Sequence, residues 1–360
     1  MADLFKRAMA TAYDESVMAM VERPRFLQGF FGKSPREIVR SETERVEIDS
    51  LRVVRGVALD VPRGTGIERI NVAGLYTNKD ILVPLYNEKA AITAAMLNKR
   101  LPGVQPFAAA GAADRAMALA YWAGKVQAEQ SLKIYRAIEL QAAQALLTGI
   151  ITLQNGVVID FGKVAAHAVI PAVKWDAGGS DPIADIEAVC DVNRADGKMM
   201  SDTVVMGQTA FNVFINNAAV IAYMNGRYIE PGRMAPGSLI EGARPWGSIG
   251  IGPYMVTIYV YNDSYDVLGV DTPYVTTDSV IVFNRGAFLV KGFGAVEMLP
   301  QVEDMYRQWG LPPVPQAEAG DIVPYVYPQW PGTLWAGVQS APVLAPSAID
   351  TISTLDQVDT

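Results

Sequence analysis

Residues 113–148, ADRAMALAYWAGKVQAEQSLKIYRAIELQAAQALLT, contain no proline and one glycine, Gly124. Ala, Leu, Gln, Glu, Lys and Arg dominate, and these are the best helix formers. Met117, Tyr121, Ala128, Leu132, Tyr135, Ile138, Ala142 and Leu146 step by threes, fours and one seven, which makes a single apolar stripe. Gly149 follows as a C-terminal stop. At 1.5 Å per residue the helix is about 54 Å long. A helix of that length exceeds the usual globular range and is expected to cross a whole domain as a spine. Everything else must be arranged around it.

The rest of the chain is β-leaning and irregular on either side of this helix. Residues 1–22 read as an amphipathic helix through Leu4, Phe5, Ala8, Met9, Ala12 and Val17. Residues 23–46 mix aromatics, charge and two prolines, as an extended arm does, and Phe26, Leu27, Phe30 and Phe31 need burial, most simply on a neighbouring chain. Residues 47–86 read as a long hairpin that turns at Gly64 and Gly66 and carries Arg52, Arg55, Arg63, Glu68, Arg69, Lys79 and Asp80. So little apolar alternation cannot stabilise a hairpin alone, so it should rest on another subunit. A short helical piece is predicted at Glu88–Lys99, and two short strands at Thr152–Phe161 around an Asn155-Gly156 turn. Asp181-Pro182 starts a helix, Thr203–Met206 is a strand, and Gln208–Met224 is a helix. Residues 226–299 lean to β structure, and YVYPQWPGTLWAGVQSAPVLA reads as a closing strand.

Composition narrows the chemistry. The chain has 360 residues, a net charge of -8, 50% apolar and 19% charged residues, one Cys and one His. One cysteine, Cys190, excludes an internal disulfide framework and a thiolate cluster. One histidine, His167, excludes HExxH and His-rich zinc sites. The acidic balance argues against gripping nucleic-acid phosphates over a broad surface. No stretch approaches the roughly 20 apolar residues that span a bilayer, and no secretory signal is readable, which points to a cytoplasm. No phosphate loop or GxSxG elbow is present. The glycines of Gly247–Gly252 suit a β turn, His167 in an apolar stretch suits a structural role, and Cys190 suits a small buried hydrophobe. The pairs Asp181/Asp185, Glu187/Asp191 and Glu303/Asp304 read as solvated carboxylates. No catalytic group, cofactor or metal is expected.

Arm, charged hairpin, spine helix, α+β body and closing strand follow one another in the order of the major capsid proteins of tailed bacteriophages. The chain resembles that HK97-like group, and within it the lambda-type major head protein family. The resemblance is carried by RFLQGFF at 25–31, VKWDAGGSDPIADIEA at 173–188, TDSVIVFNRGAF at 277–288 and VQSAPVLAPSAIDTISTLDQV at 338–358. It implies an α+β HK97-like fold: an N-terminal arm at 1–46, an E-loop hairpin at 47–87, and a P domain at 88–164 containing the spine helix. An A domain at 165–322 and a C-terminal return to the P domain at 323–360 complete it.

The implied function is the major head protein. It self-assembles through hexamers and pentamers into an icosahedral shell around double-stranded DNA, without sequence-specific binding and without a membrane. A separate scaffolding protein, a portal and a decoration or cement protein are implied partners. The implied locations are the virion and, during assembly, the host cytoplasm. Phe26, Leu27, Phe30, Phe31, Arg52, Arg55, Arg63, Glu68, Arg69 and Lys79 would be the assembly contacts, and Lys79 is given no crosslinking role. The alternatives are an encapsulin-like nanocompartment shell and an unassigned α+β enzyme.

Overall fold

The proline-free segment forms one helix, α1 (Ala112–Leu147), offset by one residue from the expected range. Gly149 adopts φ +71, and its N–H bonds back to the Ala145 carbonyl at 3.1 Å. That left-handed residue ends the helix as a glycine does. A Cβ at position 149 would lie 2.5 Å from Lys163 Cβ, so the close approach of Lys163 also requires glycine. α1 has no basic residue in its last turn. Lys163 supplies one from downstream, donating to the Leu146 and Leu147 carbonyls at 3.3 and 2.8 Å, where a cation suits the negative end of the helix dipole.

The buried stripe of α1 differs from the expected one. Val126, Gln130, Ile134, Ile138, Ala142 and Leu146 are buried, whereas Tyr121 and Leu132 are 44% and 41% exposed. Ile138, Ala142 and Leu146 lie on the expected line. The seven-residue step from Tyr121 to Ala128 passed over the buried Val126 and placed the first half of the stripe more than a third of a turn away.

The computed structural model describes residues 38–51, 76–93, 96, 112–153, 156–226, 242–267, 269–285, 289–297, 317–318, 322–329 and 333–359. Before α1 lie β1 (Ile38–Arg40), β2 (Arg45–Leu51), β3 (Tyr76–Leu82) and β4 (Tyr86–Thr93). β5 (Ile150–Thr152) and β6 (Val158–Asp160) follow as the short antiparallel pair expected there. Then come the 3-10 turn η1 (Ala165–His167), β7 (Ala168–Val169), α2 (Pro182–Gly197), β8 (Thr203–Met206), α3 (Gln208–Asn216) and α4 (Ala218–Gly226). β9 (Ala243–Ile251), β10 (Tyr254–Tyr261), β11 (Ser264–Val267), β12 (Val270–Pro273), β13 (Val280–Phe283), β14 (Leu289–Phe293), β15 (Val296–Glu297) and β16 (Ala317–Glu318) follow. The chain closes with β17 (Val323–Gln329), β18 (Thr333–Ser340), β19 (Pro342–Pro346), the 3-10 turn η2 (Ile349–Thr351) and β20 (Ser353–Leu355).

Three expectations need correction. The helical piece predicted at Glu88–Lys99 is strand through Thr93: β4 pairs with β18 from Tyr86↔Ser340 to Thr93↔Thr333. Its Ala, Glu and Lys favour helix locally, and eight residues of cross-strand pairing override that weak preference. The single helix predicted at Gln208–Met224 is two, because Asn217 stops α3 and starts α4. Its Oδ1 accepts from the Ala219 N–H at 2.8 Å while its Nδ2 donates to the Trp175 carbonyl at 2.9 Å, a capping role that asparagine favours. The closing strand is three strands. β17 and β18 form an antiparallel hairpin beside β4, and β19 moves to another sheet, pairing with β14.

The centre is a six-stranded mixed sheet, ordered β7-β20-β13-β8-β10-β9. Alternate residues of its middle strands face opposite ways, as the strand period of two requires. Val205, Ile281 and Phe283 join a core containing Ile134, Ile138 and Leu146 of α1. Val204, Met206, Val280 and Val282 join a second core against α2–α4, with Trp175 and Phe214. Burial on both faces explains why VVM of β8 and VIVF of β13 are unbroken apolar runs. α1 is tied to the sheet by a buried bond, Tyr261 Oη donating to Glu139 Oε1 at 2.7 Å. Burial, and then the Glu139 carboxylate, raise the Tyr261 phenol, so it stays a donor.

Candidate functional site

Several of the polar groups singled out in the sequence are, among the described residues, engaged in holding the fold. Cys190 is buried on α2, and burial pushes its thiol up to about 12, so it is no thiolate at neutral pH. Asp181 caps α2, its Oδ1 accepting from the Ile183 and Ala184 N–H groups at 3.1 and 3.2 Å. Asp185 accepts from Trp175 Nε1 at 2.8 Å, and burial raises its carboxyl. Asp191 accepts from Tyr254 Oη at 2.6 Å and from Arg194 at 3.0 Å, and these bonds lower its carboxyl. Glu303 and Asp304 lie outside the described residues. Among the described residues no three His, Cys, Asp or Glu side chains converge as a metal site. Nor is any helix among them long and apolar enough to cross a membrane.

An open cleft of about 710 Å³ lies between the Trp175–Asp181 loop and the junction of α3 with α4. Thr209, Asn212, Asn216 and Asn217 line it. Asp176, Ser180 and Asp181 line its other side, where Ser180 Oγ donates to the Ala177 carbonyl at 2.9 Å and Asp181 caps α2.

The expected assembly contacts fall partly on the β2–β3 ribbon. Its arms pair from Arg45↔Leu82 to Leu51↔Tyr76, so the ribbon begins two residues before the hairpin expected at 47–86. In that register Glu47 lies opposite Asp80, a repulsive arrangement. Arg45, diagonally across, forms an ion pair with Asp80. The ribbon's root is in the core: Val46, Ile81 and Val83 are buried. Val46 lies over Gly292 of β14, where a Cβ would come within 2.8 Å of Val46 Cγ1 and 3.0 Å of Val343 Cγ1. The loop before β2 is fixed as well, the Ala295 N–H donating to the Thr43 carbonyl at 2.9 Å.

Lys79 lies in β3 opposite Ile48. The other expected contacts, Phe26, Leu27, Phe30, Phe31, Arg52, Arg55, Arg63, Glu68 and Arg69, lie outside the described residues. The residue-by-residue reading missed several exposed apolar side chains. Leu82 and Leu85 flank the ribbon root, Leu85 at 59% exposed, and Val158, Ile170, Met255 and Val270 stand out on other elements. The alternation in DILVPLY, with Ile81 and Val83 inward and Leu82 and Leu85 outward, was the readable signal for the first two.

A spine helix crossing under a mixed sheet, with a two-stranded ribbon rooted beside it, is the HK97-like capsid fold. A crystal structure of a prophage capsid protein from E. coli CFT073 matches at TM-score 0.67 and 16% identity, covering 98% of both chains. The SrpI encapsulin of Synechococcus elongatus PCC 7942 matches at TM-score 0.46 and 10% identity, covering 91% of this chain and 89% of its own. A virus-like particle protein of Pyrococcus furiosus matches at 0.41 and 12%, covering 95% and 96%. No match was found among curated proteins. The model of the phage major capsid protein E family matches residues 15–352, and the chain belongs to that family. Its function is that of a shell-forming major capsid protein of the virion.

Proposed function

We propose that the chain builds an icosahedral head through hexamers and pentamers, with the arm and the β2–β3 hairpin as its reach onto neighbouring subunits. The observation that carries this is the ribbon itself. Among the described residues β2 and β3 pair only with each other, and a two-stranded ribbon is marginal without a second surface. Its root is anchored in its own subunit, so the second surface belongs to another copy. Phe26, Leu27, Phe30 and Phe31 of the arm supply apolar anchors. Arg52, Arg55, Arg63, Glu68, Arg69 and Lys79 supply ion pairs worth about 0–1 kcal/mol each, so stability comes from repetition over many copies.

The same reading assigns the six-stranded sheet with α2–α4 to the A domain, at 165–322, and α1 with β4–β6 to the P domain, at 88–164. The return at 323–360 gives β17–β19 to the P domain side and ends with β20 beside β13. A scaffolding protein, a portal and a decoration or cement protein are the partners of assembly, which takes place in the host cytoplasm. The net charge of -8 lets packaged double-stranded DNA lie inside without sticking. The shell itself runs no reaction.

Deleting residues 1–31, or Phe30→Ser, should leave a soluble folded subunit that forms no shells by electron microscopy. Normal shells from either variant would remove the arm as an anchor. Particles that co-purify with an enzyme instead of DNA would move the chain to the nanocompartment class.

A further inference from the structure

His167 is the chain's single histidine, and it is 1% exposed on η1. Its neighbours decide which ring nitrogen carries hydrogen. Asn193 Nδ2 lies 3.1 Å from the Val282 carbonyl and 3.0 Å from Ser201 Oγ. A carbonyl only accepts, so the amide nitrogen must face it and Oδ1 must point the other way. Oδ1 then accepts from Ser353 Oγ at 2.5 Å, which uses the one hydrogen of that hydroxyl. His167 Nδ1 sits 2.7 Å from Ser353 Oγ and 3.2 Å from Asn193 Oδ1. Both oxygens can now only accept from it, so Nδ1 carries hydrogen.

A neutral imidazole with hydrogen on Nδ1 has a bare lone pair on Nε2. Nε2 is buried and makes no hydrogen bond, yet Asp196 Oδ2 of α2 stands 3.3 Å away. A lone pair therefore lies beside a carboxylate, off the line of a hydrogen bond, and a proton there turns repulsion into attraction. Cations nearby are committed elsewhere: Lys163 to the Leu146 and Leu147 carbonyls and Thr354 Oγ1, and Lys198 to the Ala195 carbonyl. Of the other elements at the ring, β20 brings Ser353 and Thr354 and β7 brings Ala168 and Val169, none of them ionisable. η2 brings Asp350, whose carbonyl would lie 2.8 Å from a Cβ on Gly197 of α2. Asp196 is the group that faces Nε2.

We propose that His167 is a proton-operated clasp. Through Nδ1 it holds the C-terminal strand β20 and α2 together at every pH. Through Nε2 it takes up a proton and closes an ion pair with Asp196, tying η1 to the last turn of α2 in acid. The clasp does not depend on how the shell is built.

One histidine makes the clasp directly readable. Assembled full-length protein carrying 15N-labelled histidine shows a single Nδ1 and a single Nε2 by solid-state NMR. Imidazoles change charge between about pH 5 and pH 8. At the upper end Nδ1 should be protonated and Nε2 bare, and at the lower end both should be protonated. In Asp196→Asn, Nδ1 should stay protonated while Nε2 gains its proton at a pH lower by about half a unit or more. A bare Nδ1 at the upper end, an Nε2 that stays bare at the lower end, or an unchanged titration in Asp196→Asn would each overturn the proposal. The tautomer measurement needs only the unmodified protein, so it decides the first claim even where the variant fails to fold.

Discussion

Lys163 shows how one residue can join two parts of this fold. Its Nζ donates to the Leu147 carbonyl at the end of α1 and, at 3.2 Å, to Thr354 Oγ1 of β20. Burial depresses its ammonium from 10.5 to about 8, against a smaller opposing pull from Asp356. The unfolded chain therefore binds more protons than the folded one between about pH 8 and pH 10.5, and stability must rise with pH across that window. Below pH 8 both states are protonated and the burial cost is fully present. A shift of that size corresponds to about 3 kcal/mol. Chemical denaturation should show the native protein gaining that much on Lys163→Met as pH rises through the window. Equal slopes in both proteins would mean that the ammonium is not desolvated. The sequence let His167 be read as structural because apolar neighbours flank it, and Cys190 because it falls on a predicted helix. The partners of His167 were not readable, since Asn193 and Ser353 meet it only through folding.

At the scale of elements, local signals succeeded where a segment's own chemistry decides its conformation. α1 was legible to within one residue because it has no breaker and ends in a required glycine. β8 was legible to the residue from its unbroken TVVM run. α2 was legible from Asp181 and Pro182, which close the orphan N–H groups of its first turn. Removing that cap should be felt accordingly: Asp181→Ala should lower stability by about 1 kcal/mol, read as a fall in the thermal midpoint of the subunit. An unchanged midpoint would place the cap's contribution in Pro182 alone. Local signals failed where a distant partner decides. β4 carries helix formers but meets β18 some 240 positions later in the chain, a pairing no window of sequence contains. The phase of the α1 stripe failed for the same reason. Which side of a long helix is buried depends on what crosses it, and Tyr121 and Leu132 are exposed although apolar.

For the whole molecule, the assembly proposed above makes the point where the ribbon leaves the body the place that sets its geometry. The expectation that the arm and hairpin tip need a second surface rests on their aromatics and charges without alternation, at residues that lie outside those the structure describes. The root was not legible, since it depends on Gly292, a glycine in an ordinary strand whose place under Val46 only the fold reveals. Gly292→Ala forces a methyl to within 2.8 Å of Val46 Cγ1, and overpacking of that kind costs about 1–3 kcal/mol. Gly292 belongs to the β1-β14-β19 sheet and not to the six-stranded one, so the subunit should still fold and melt cooperatively at a lower temperature. The ribbon would leave at a changed angle, and a small tilt at its root becomes a large displacement at its far end. Shell yield in electron microscopy should therefore fall further than subunit stability predicts. Val46→Ala removes the methyl in conflict, so the double variant should recover shells more fully than it recovers the thermal midpoint. Recovery of both in parallel would mean that Gly292 acts on stability alone, and normal shells from Gly292→Ala would mean that the root does not set the angle.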